Sequence, residues 1–337
     1  MSASSVTTRP DPPHLTRAAT LLAALLCCGS AGADELAVTA LRTMHDATRT
    51  LNYDGVFVYQ RGDQLESMRL IHRFAENTES ERLISLSGPA REVIRRGTLV
   101  TCLSADNHGA PPDKNPPRDI IGIGFSVPVE KLGSSYAFAI EGKGRVAGRD
   151  AVLVAVTPHS PDRYGYRLWL DEQTKLLLKS AILDGAGRSL EQVQFTQLEV
   201  RAEISADLLK PGIDGTAFNW RTDSNGDDQN PQSKPEVTPD WQANWLPRGF
   251  EFKESSLQQM EDQSGPTSHL VYSDGLAMVS VFVEAVVDEK RALRGQSSRG
   301  AVNAFSRLDD MHQITVVGEV PLPTVKRIAA SVAKTND

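Results

Sequence analysis

Cysteine is almost missing from this chain. Of its 337 residues three are cysteine, and two of those, Cys27 and Cys28, fall in an N-terminal stretch that reads as a leader. A disulfide framework is thereby excluded, so stability has to come from packed cores. Cys102 sits in the strand-like run Leu99-Val-Thr-Cys-Leu103 and is expected to be a small buried side chain rather than a redox thiol. Basic charge is also short: 36 Lys and Arg face 43 Asp and Glu, a net of −7. Such a balance offers no concentrated cationic surface for a phosphate backbone, so nucleic acid is excluded as a partner. Beyond the N-terminus no apolar run approaches the ~20 residues of a membrane span, and the remainder is expected to be soluble.

The signatures of catalysis are missing too. His45, His72, His108, His159, His269 and His312 are scattered, with no pair at chelating or helical spacing. There is no His-Glu-x-x-His, no Cys-x-x-Cys and no Gly-x-Ser-x-Gly. The stretch Gly142-Lys-Gly-Arg-Val-Ala-Gly148 has one residue too many for a dinucleotide loop. Strand-like sequence at 152–156 follows it instead of a helix, so its glycines are expected at turns and bulges. Asp309-Asp310 and Asp227-Asp228 fall in expected turns or linker, where solvated charge is the default. No catalytic residue, cofactor or metal is therefore expected, and the chain is read as a binding protein rather than an enzyme.

What is present starts with a leader. Arg9 and Arg17 precede an apolar run at 18–26, which ends in Ala31-Gly-Ala33. A basic start, a short apolar core and an Ala-x-Ala end predict a cleavable secretory signal over residues 1–33. Its removal leaves one free thiol and a net charge near −8, since Arg9, Arg17 and Asp11 go with it. From Asp34 onward, Leu36, Ala40, Met44, Ala47 and Leu51 recur at helical spacing, predicting a helix that lies across a sheet.

That sheet opens with Tyr53-Asp-Gly-Val-Phe-Val-Tyr59 and Leu65-Glu-Ser-Met-Arg-Leu-Ile71 around the turn Arg61-Gly-Asp63. Phe57 and Tyr59 alternate with Val58, and Met68 and Leu70 with Arg69 and Ile71, the period of half-buried strands. Further strands follow near 82–86, 91–95, 99–103, 136–140, 152–156, 163–171, 176–183 and 192–200, with a proline-rich insertion at 105–119 and a short helix at 129–132. Many antiparallel strands with one or two helices predict a mostly β, α+β chain. Its first domain is a half-open antiparallel barrel curled around helices, spanning 34–215. Its inner wall is expected to carry Phe57, Tyr59, Leu70, Ile84, Val100, Phe138, Val154, Trp169 and Phe195, an apolar concavity suited to an apolar ligand.

Residues 216–240 change character: Thr222-Asp-Ser-Asn-Gly-Asp-Asp-Gln-Asn-Pro has almost nothing to bury and reads as a flexible linker. A second domain at 241–337 is expected to be small and α+β. Phe250 and Phe252 would alternate on its first strand, followed by a hairpin around Ser273-Asp-Gly275 and a second hairpin at 302–320. A helix then starts after Pro321 and presents Val325, Ile328, Ala329 and Val332 on one face.

Leu51-Asn-Tyr-Asp-Gly-Val-Phe-Val-Tyr-Gln60, Gln64-Leu-Glu-Ser-Met-Arg69 and Glu81-Arg-Leu-Ile-Ser-Leu-Ser-Gly-Pro-Ala-Arg-Glu-Val-Ile94 resemble the RseB/MucB family. So do Tyr272-Ser-Asp-Gly-Leu-Ala-Met-Val-Ser-Val-Phe-Val-Glu284 and Val316-Val-Gly-Glu-Val320 in the second domain. The resemblance implies a large domain similar to the lipoprotein carriers LolA and LolB. It also implies a periplasmic regulator of the sigma-E envelope-stress pathway, which binds the periplasmic segment of a membrane-bound anti-sigma factor (RseA or MucA) and shields it from a site-1 protease. Lipopolysaccharide or another acylated molecule entering the large domain would release the grip. The family offers no catalytic residues to carry over, and partner-contacting residues and any homo-oligomer stay open. A lipid or lipoprotein carrier is the alternative that the barrel half alone suggests.

Overall fold

The computed structural model describes residues 29–104, 127–214, 216–221, 240–258, 265–289 and 292–335. The insertion expected at 105–119, most of the leader and most of the linker lie outside them. Helix α1 (Gly29–Thr50) crosses the expected cleavage point after Ala33. Strands β1 (Asn52–Arg61), β2 (Gln64–Ala75), β3 (Thr78–Ser85), β4 (Arg91–Arg96) and β5 (Leu99–Ser104) then run as consecutive antiparallel hairpins. After the short helix α2 (Val129–Leu132) a second run of hairpins begins: β6 (Tyr136–Val146), β7 (Arg149–Pro158), β8 (Gly165–Asp171), β9 (Leu177–Leu183) and β10 (Ser189–Arg201).

The two runs join where β10 pairs with β1, so the opening hairpin lies in the middle of the sheet. The sheet has 11 strands and two edges, β6 on one side and β11 (Thr216–Arg221) on the other. Strand β11 pairs with β5, within a stretch expected to be linker; residues 216–221 extend the sheet instead. A bulge between Val56 and Phe57 and another between Ile140 and Gly142 sharpen the curl. Gly142 thus sits at a bulge, and Ala147-Gly148 at positive φ makes the β6–β7 turn.

Helix α1 touches both β2 near the centre and β6 at the edge, so the sheet wraps around it. The buried face of α1 is Ala37, Leu41, Met44 and Ala47. Leu36, expected on that face, points to solvent with 63% of its surface exposed; the apolar stripe is rotated toward 37 and 41. The outer face of the sheet is covered as well, by the segment that follows β10. There Ile204 and Leu209 pack on Ile71 and Ile84, and the Arg73 and Arg82 guanidiniums donate to the carbonyls of Ile204 and Leu208.

In the second domain β12 (Trp241–Ala243) pairs with β19 (Val332–Lys334). A six-stranded antiparallel sheet runs β13-β14-β15-β18-β17-β16. Its strands are β13 (Glu251–Gln258), β14 (Thr267–Ser273), β15 (Met278–Ala285), β16 (Gly295–Arg299), β17 (Val302–Asp309) and β18 (His312–Gly318). Helix α3 (Leu322–Ser331) buries Val325, Ile328 and Ala329 against this sheet, and Val332 is buried just past its end, in β19. Phe250 and Phe252 do not share an inward face: Phe250 is buried ahead of β13, whereas Phe252 is 46% exposed on that edge strand. Cys102 is buried and its thiol is pushed up by that burial, so it packs with Val93 and Val100 and is a poor nucleophile.

Candidate functional site

Seen from α1, the inner face of the large sheet is an aromatic and aliphatic wall. Phe57 and Phe195 are paired across β1 and β10, and their rings meet edge to face at 5.6 Å. Leu70 lies beside them in the same cluster, with Ala47 of α1 closing it. Phe138 and Val154 join Leu41 and Met44 in the neighbouring cluster, and Val100 stands with Val93 and Cys102 toward the β5 side. The structure therefore brings Phe57, Leu70, Val100, Phe138, Val154 and Phe195 onto the face expected of them.

Ile84 and Trp169 are placed elsewhere. Leu83 is the β3 residue paired with inward Leu70, so its neighbour Ile84 faces outward, into the cluster with Ile71 and Ile204. Trp169 lies between Leu168 and Leu170, which point into the inner core. It therefore faces out, under the Lys179 ammonium at 4.5 Å from its ring. In both cases the sheet is covered on its outer side too, so apolar character alone did not reveal the face. Tyr59 keeps the inward side but stands at its rim, with its hydroxyl donating to Glu191 and accepting from Arg61 Nε at 2.6 Å. Burial and the Glu191 carboxylate push that phenol well above its ordinary range.

Among the described residues the wall is filled rather than hollow. Between α1 and the sheet runs a crevice lined by Thr48, Tyr53, Leu176, Leu177, Phe195 and Leu198, too narrow to hold a water molecule.

A second site is the seam where the two domains meet. Arg163, just before β8, and Asp274, in the β14–β15 turn, are both almost fully buried, and Arg163 Nε donates to Asp274 Oδ2 at 2.6 Å. The Tyr136 hydroxyl donates to the same oxygen at 3.0 Å, while Asp274 Oδ1 accepts from the backbone of Leu276 and Ala277. Arg163 also donates to the Arg248 carbonyl and lies over the Phe250 ring. Burial, with Tyr166 and Asp274 nearby, drives the Tyr136 phenol far above its ordinary range, so it stays a donor.

Further along the seam Glu191 accepts from the Ala301 backbone at 2.8 Å, and Ala301 itself is buried in the core cluster of the large domain. Gly300, at positive φ, makes this insertion possible, because a Cβ there would collide with Glu191 and Arg61. Asn303 Nδ2 donates to the Tyr164 hydroxyl and to the Val320 carbonyl, each at 2.8 Å, and Thr324 donates to the Asp162 carbonyl. Glu319 lies close by, and burial together with the Glu191 carboxylate raises its carboxyl.

Sequence reading missed this seam. Asp274-Gly275 announces a hairpin turn, which it is, and nothing local marks the aspartate as the partner of Arg163. Asn303, a lone amide within Ala301-Val-Asn-Ala-Phe305, was the one available signal.

Two apolar cores, one of them concave, joined by a buried polar seam define a two-domain binding module. The chain belongs to the MucB/RseB family: the MucB/RseB N-terminal domain matches residues 37–213 and the MucB/RseB C-terminal domain residues 235–333. It is 34% identical over 298 residues to the sigma factor AlgU regulatory protein MucB of Pseudomonas aeruginosa, covering 87% of this chain and 89% of that protein. It is 28% identical over 323 residues to the sigma-E factor regulatory protein RseB of Salmonella typhimurium, covering 92% and 94%. Among solved structures, that of the Pseudomonas aeruginosa MucA/MucB complex aligns with a TM-score of 0.72 and 32% identity, over 89% of this chain and 99% of that one.

Proposed function

We propose that this chain is a periplasmic negative regulator of an envelope-stress sigma factor. It binds the periplasmic segment of a membrane-bound anti-sigma factor and keeps that segment from a site-1 protease. The observation that carries this reading is likeness along both domains to a protein solved in complex with MucA. Shielding is a matter of mass action: covering the segment about 99% of the time requires free regulator near 100 times its dissociation constant, roughly 2.7 kcal/mol. A signal that weakens binding by a similar amount exposes the segment, within the roughly 1–3 kcal/mol usual for coupling between sites.

Lipopolysaccharide or another acylated molecule is the releasing ligand in this reading, received on the face of Phe57, Leu70, Val100, Phe138, Val154 and Phe195. The tight fit of α1 supports a coupled response, since a chain entering there has to displace the helix. A simple carrier fits less well, because the small domain puts Ala301 into the core of the large one, and a carrier gains nothing from that. In the test, the protein lacking residues 1–33 is mixed with the periplasmic segment of the anti-sigma factor and the site-1 protease, with and without lipopolysaccharide. Protection that lipopolysaccharide relieves is expected. Cleavage equally fast with and without the regulator would overturn the reading, and transfer of acylated cargo to an acceptor would favour the carrier.

A further inference from the structure

Where the β2–β3 hairpin meets the end of α1, three metal-ligating groups converge that the sequence scatters. His72 is fully buried, its ring stacked on Tyr53 with centroids 4.7 Å apart. Its Nδ1 lies 2.7 Å from the Leu51 carbonyl oxygen. A carbonyl only accepts, so Nδ1 carries the proton and Nε2 of the neutral ring presents a lone pair. That lone pair faces another acceptor, Glu79 Oε1, at 3.3 Å. Glu81 completes the group, with one ligand atom from each residue within 4.8 Å of the others.

Two acceptors facing each other in a buried place need something positive between them. A proton on Nε2 is one solution, and a charge-assisted N–H···O bond of that kind closes to about 2.7–2.9 Å. A tetrahedral ion with ligands at about 2.0–2.2 Å holds its nitrogen and oxygen roughly 3.3–3.5 Å apart. The observed 3.3 Å accommodates an ion as well as a long hydrogen bond. The Leu51 carbonyl already does what outer partners of metal-bound histidines do, fixing the tautomer and turning Nε2 inward. Arg49 approaches the other Glu79 oxygen, with Nε 3.5 Å from Oε2, and Arg95 Nε is 3.7 Å from Glu81 Oε2.

We propose that His72, Glu79 and Glu81 form a site for a divalent transition ion of the zinc class. His72 binds through Nε2 and each glutamate through one oxygen, leaving a fourth position for water. Glu79 is the open side, with 28% of its side chain exposed against none for His72. Because His72 is tied to Leu51, just past α1, an ion here fastens the hairpin to the helix that fills the concave face. Occupancy then favours the closed face. The site stands on its own geometry, and only its effect on the concave face rests on the regulatory reading above.

The test uses the protein lacking residues 1–33, stripped with a chelator and titrated with Zn²⁺ against a chromophoric competitor. One equivalent bound with micromolar or tighter affinity is expected, with an X-ray absorption edge fitting one nitrogen and two carboxylate oxygens. At about 100 times the dissociation constant the Tm should rise by roughly 5 °C or more. Glu81→Gln and Glu79→Gln should each weaken binding at least tenfold. Both replace the carboxylate with a neutral amide of the same shape, so they keep the test alive if His72→Gln fails to fold. Affinity weaker than about 100 μM, or tight binding unchanged in both glutamate variants, would overturn the site. The first outcome leaves an imidazolium–carboxylate pair, the second an ion held by other surface groups.

Discussion

Beneath α1 the contacts are Phe57 on Phe195 and Leu41 and Met44 over Val154 and Phe138. Across the seam they are Arg163 to Asp274, Asn303 to Tyr164 and Glu191 to the Ala301 backbone. The first set is non-directional and proportional to area, so another apolar body, an acyl chain included, can replace part of it at modest cost. The second set is directional and desolvated, and an Arg163 that loses Asp274 has no cheap alternative. One surface is therefore suited to yielding gradually and the other to holding or letting go as a unit.

The sharpest way to break that contrast is at the buried ion pair. Asp274→Ala leaves the Arg163 charge buried and uncompensated, and should cost about 3–5 kcal/mol in a denaturant titration. The double change of Arg163→Met with Asp274→Leu should recover most of that loss. If the single change costs less than about 1 kcal/mol, the seam is not the all-or-none element described. On the apolar side, Leu41→Ala should cost about 2–5 kcal/mol, through lost burial and the cavity left behind. It should also increase the uptake of a fluorescent acyl probe, since the same space opens beside the wall. Loss of probe binding in that variant would mean the concave face is not the entry route.

The smallest effect concerns Glu319. Its carboxyl is raised by burial and by Glu191, so the folded state holds the proton more firmly than the unfolded chain. Ionisation thus penalises folding above the folded-state value, and the penalty is absent below the unfolded carboxyl range near about 4.3. Glu319→Gln should raise the unfolding midpoint at pH 7 and converge with the parent protein near pH 4. A constant difference across that range would assign the effect to packing rather than charge.

Short-range chemistry made much of this molecule legible. Alternation over two residues announced β1 and β2, and Asp274-Gly275 marked the β14–β15 turn. The apolar spacing of Val325, Ile328 and Ala329 identified α3. Those signals lie within a few residues of what they specify, because pleat, helical turn and turn conformation are local properties. The same logic reached its limit at Ile84 and Trp169. An apolar residue in a strand says that it is covered but not on which face, and here the segment carrying Ile204 and Leu209 covers the outer one.

Leu36 shows a related limit, since helical spacing defines a stripe but not which edge of it meets the sheet. The 216–221 strand was hidden by the polar tract that follows it. For β11, pairing with β5 and not local composition decides the structure.

The chain's own pattern was therefore enough for its class: two antiparallel cores and a match to one family through local strand motifs. The tertiary structure alone decided which polar groups meet. Arg163 finds Asp274 across a separation of 111 residues, Glu191 finds Ala301 across 110, and Asn303 finds Tyr164 across 139. His72 finds Glu79 and Glu81 only when β2 and β3 fold back on each other. Apolar patterning is read along the chain because burial is additive and non-directional. A buried polar contact needs two particular atoms at hydrogen-bond distance with a fixed orientation, and their placement depends on every strand between them.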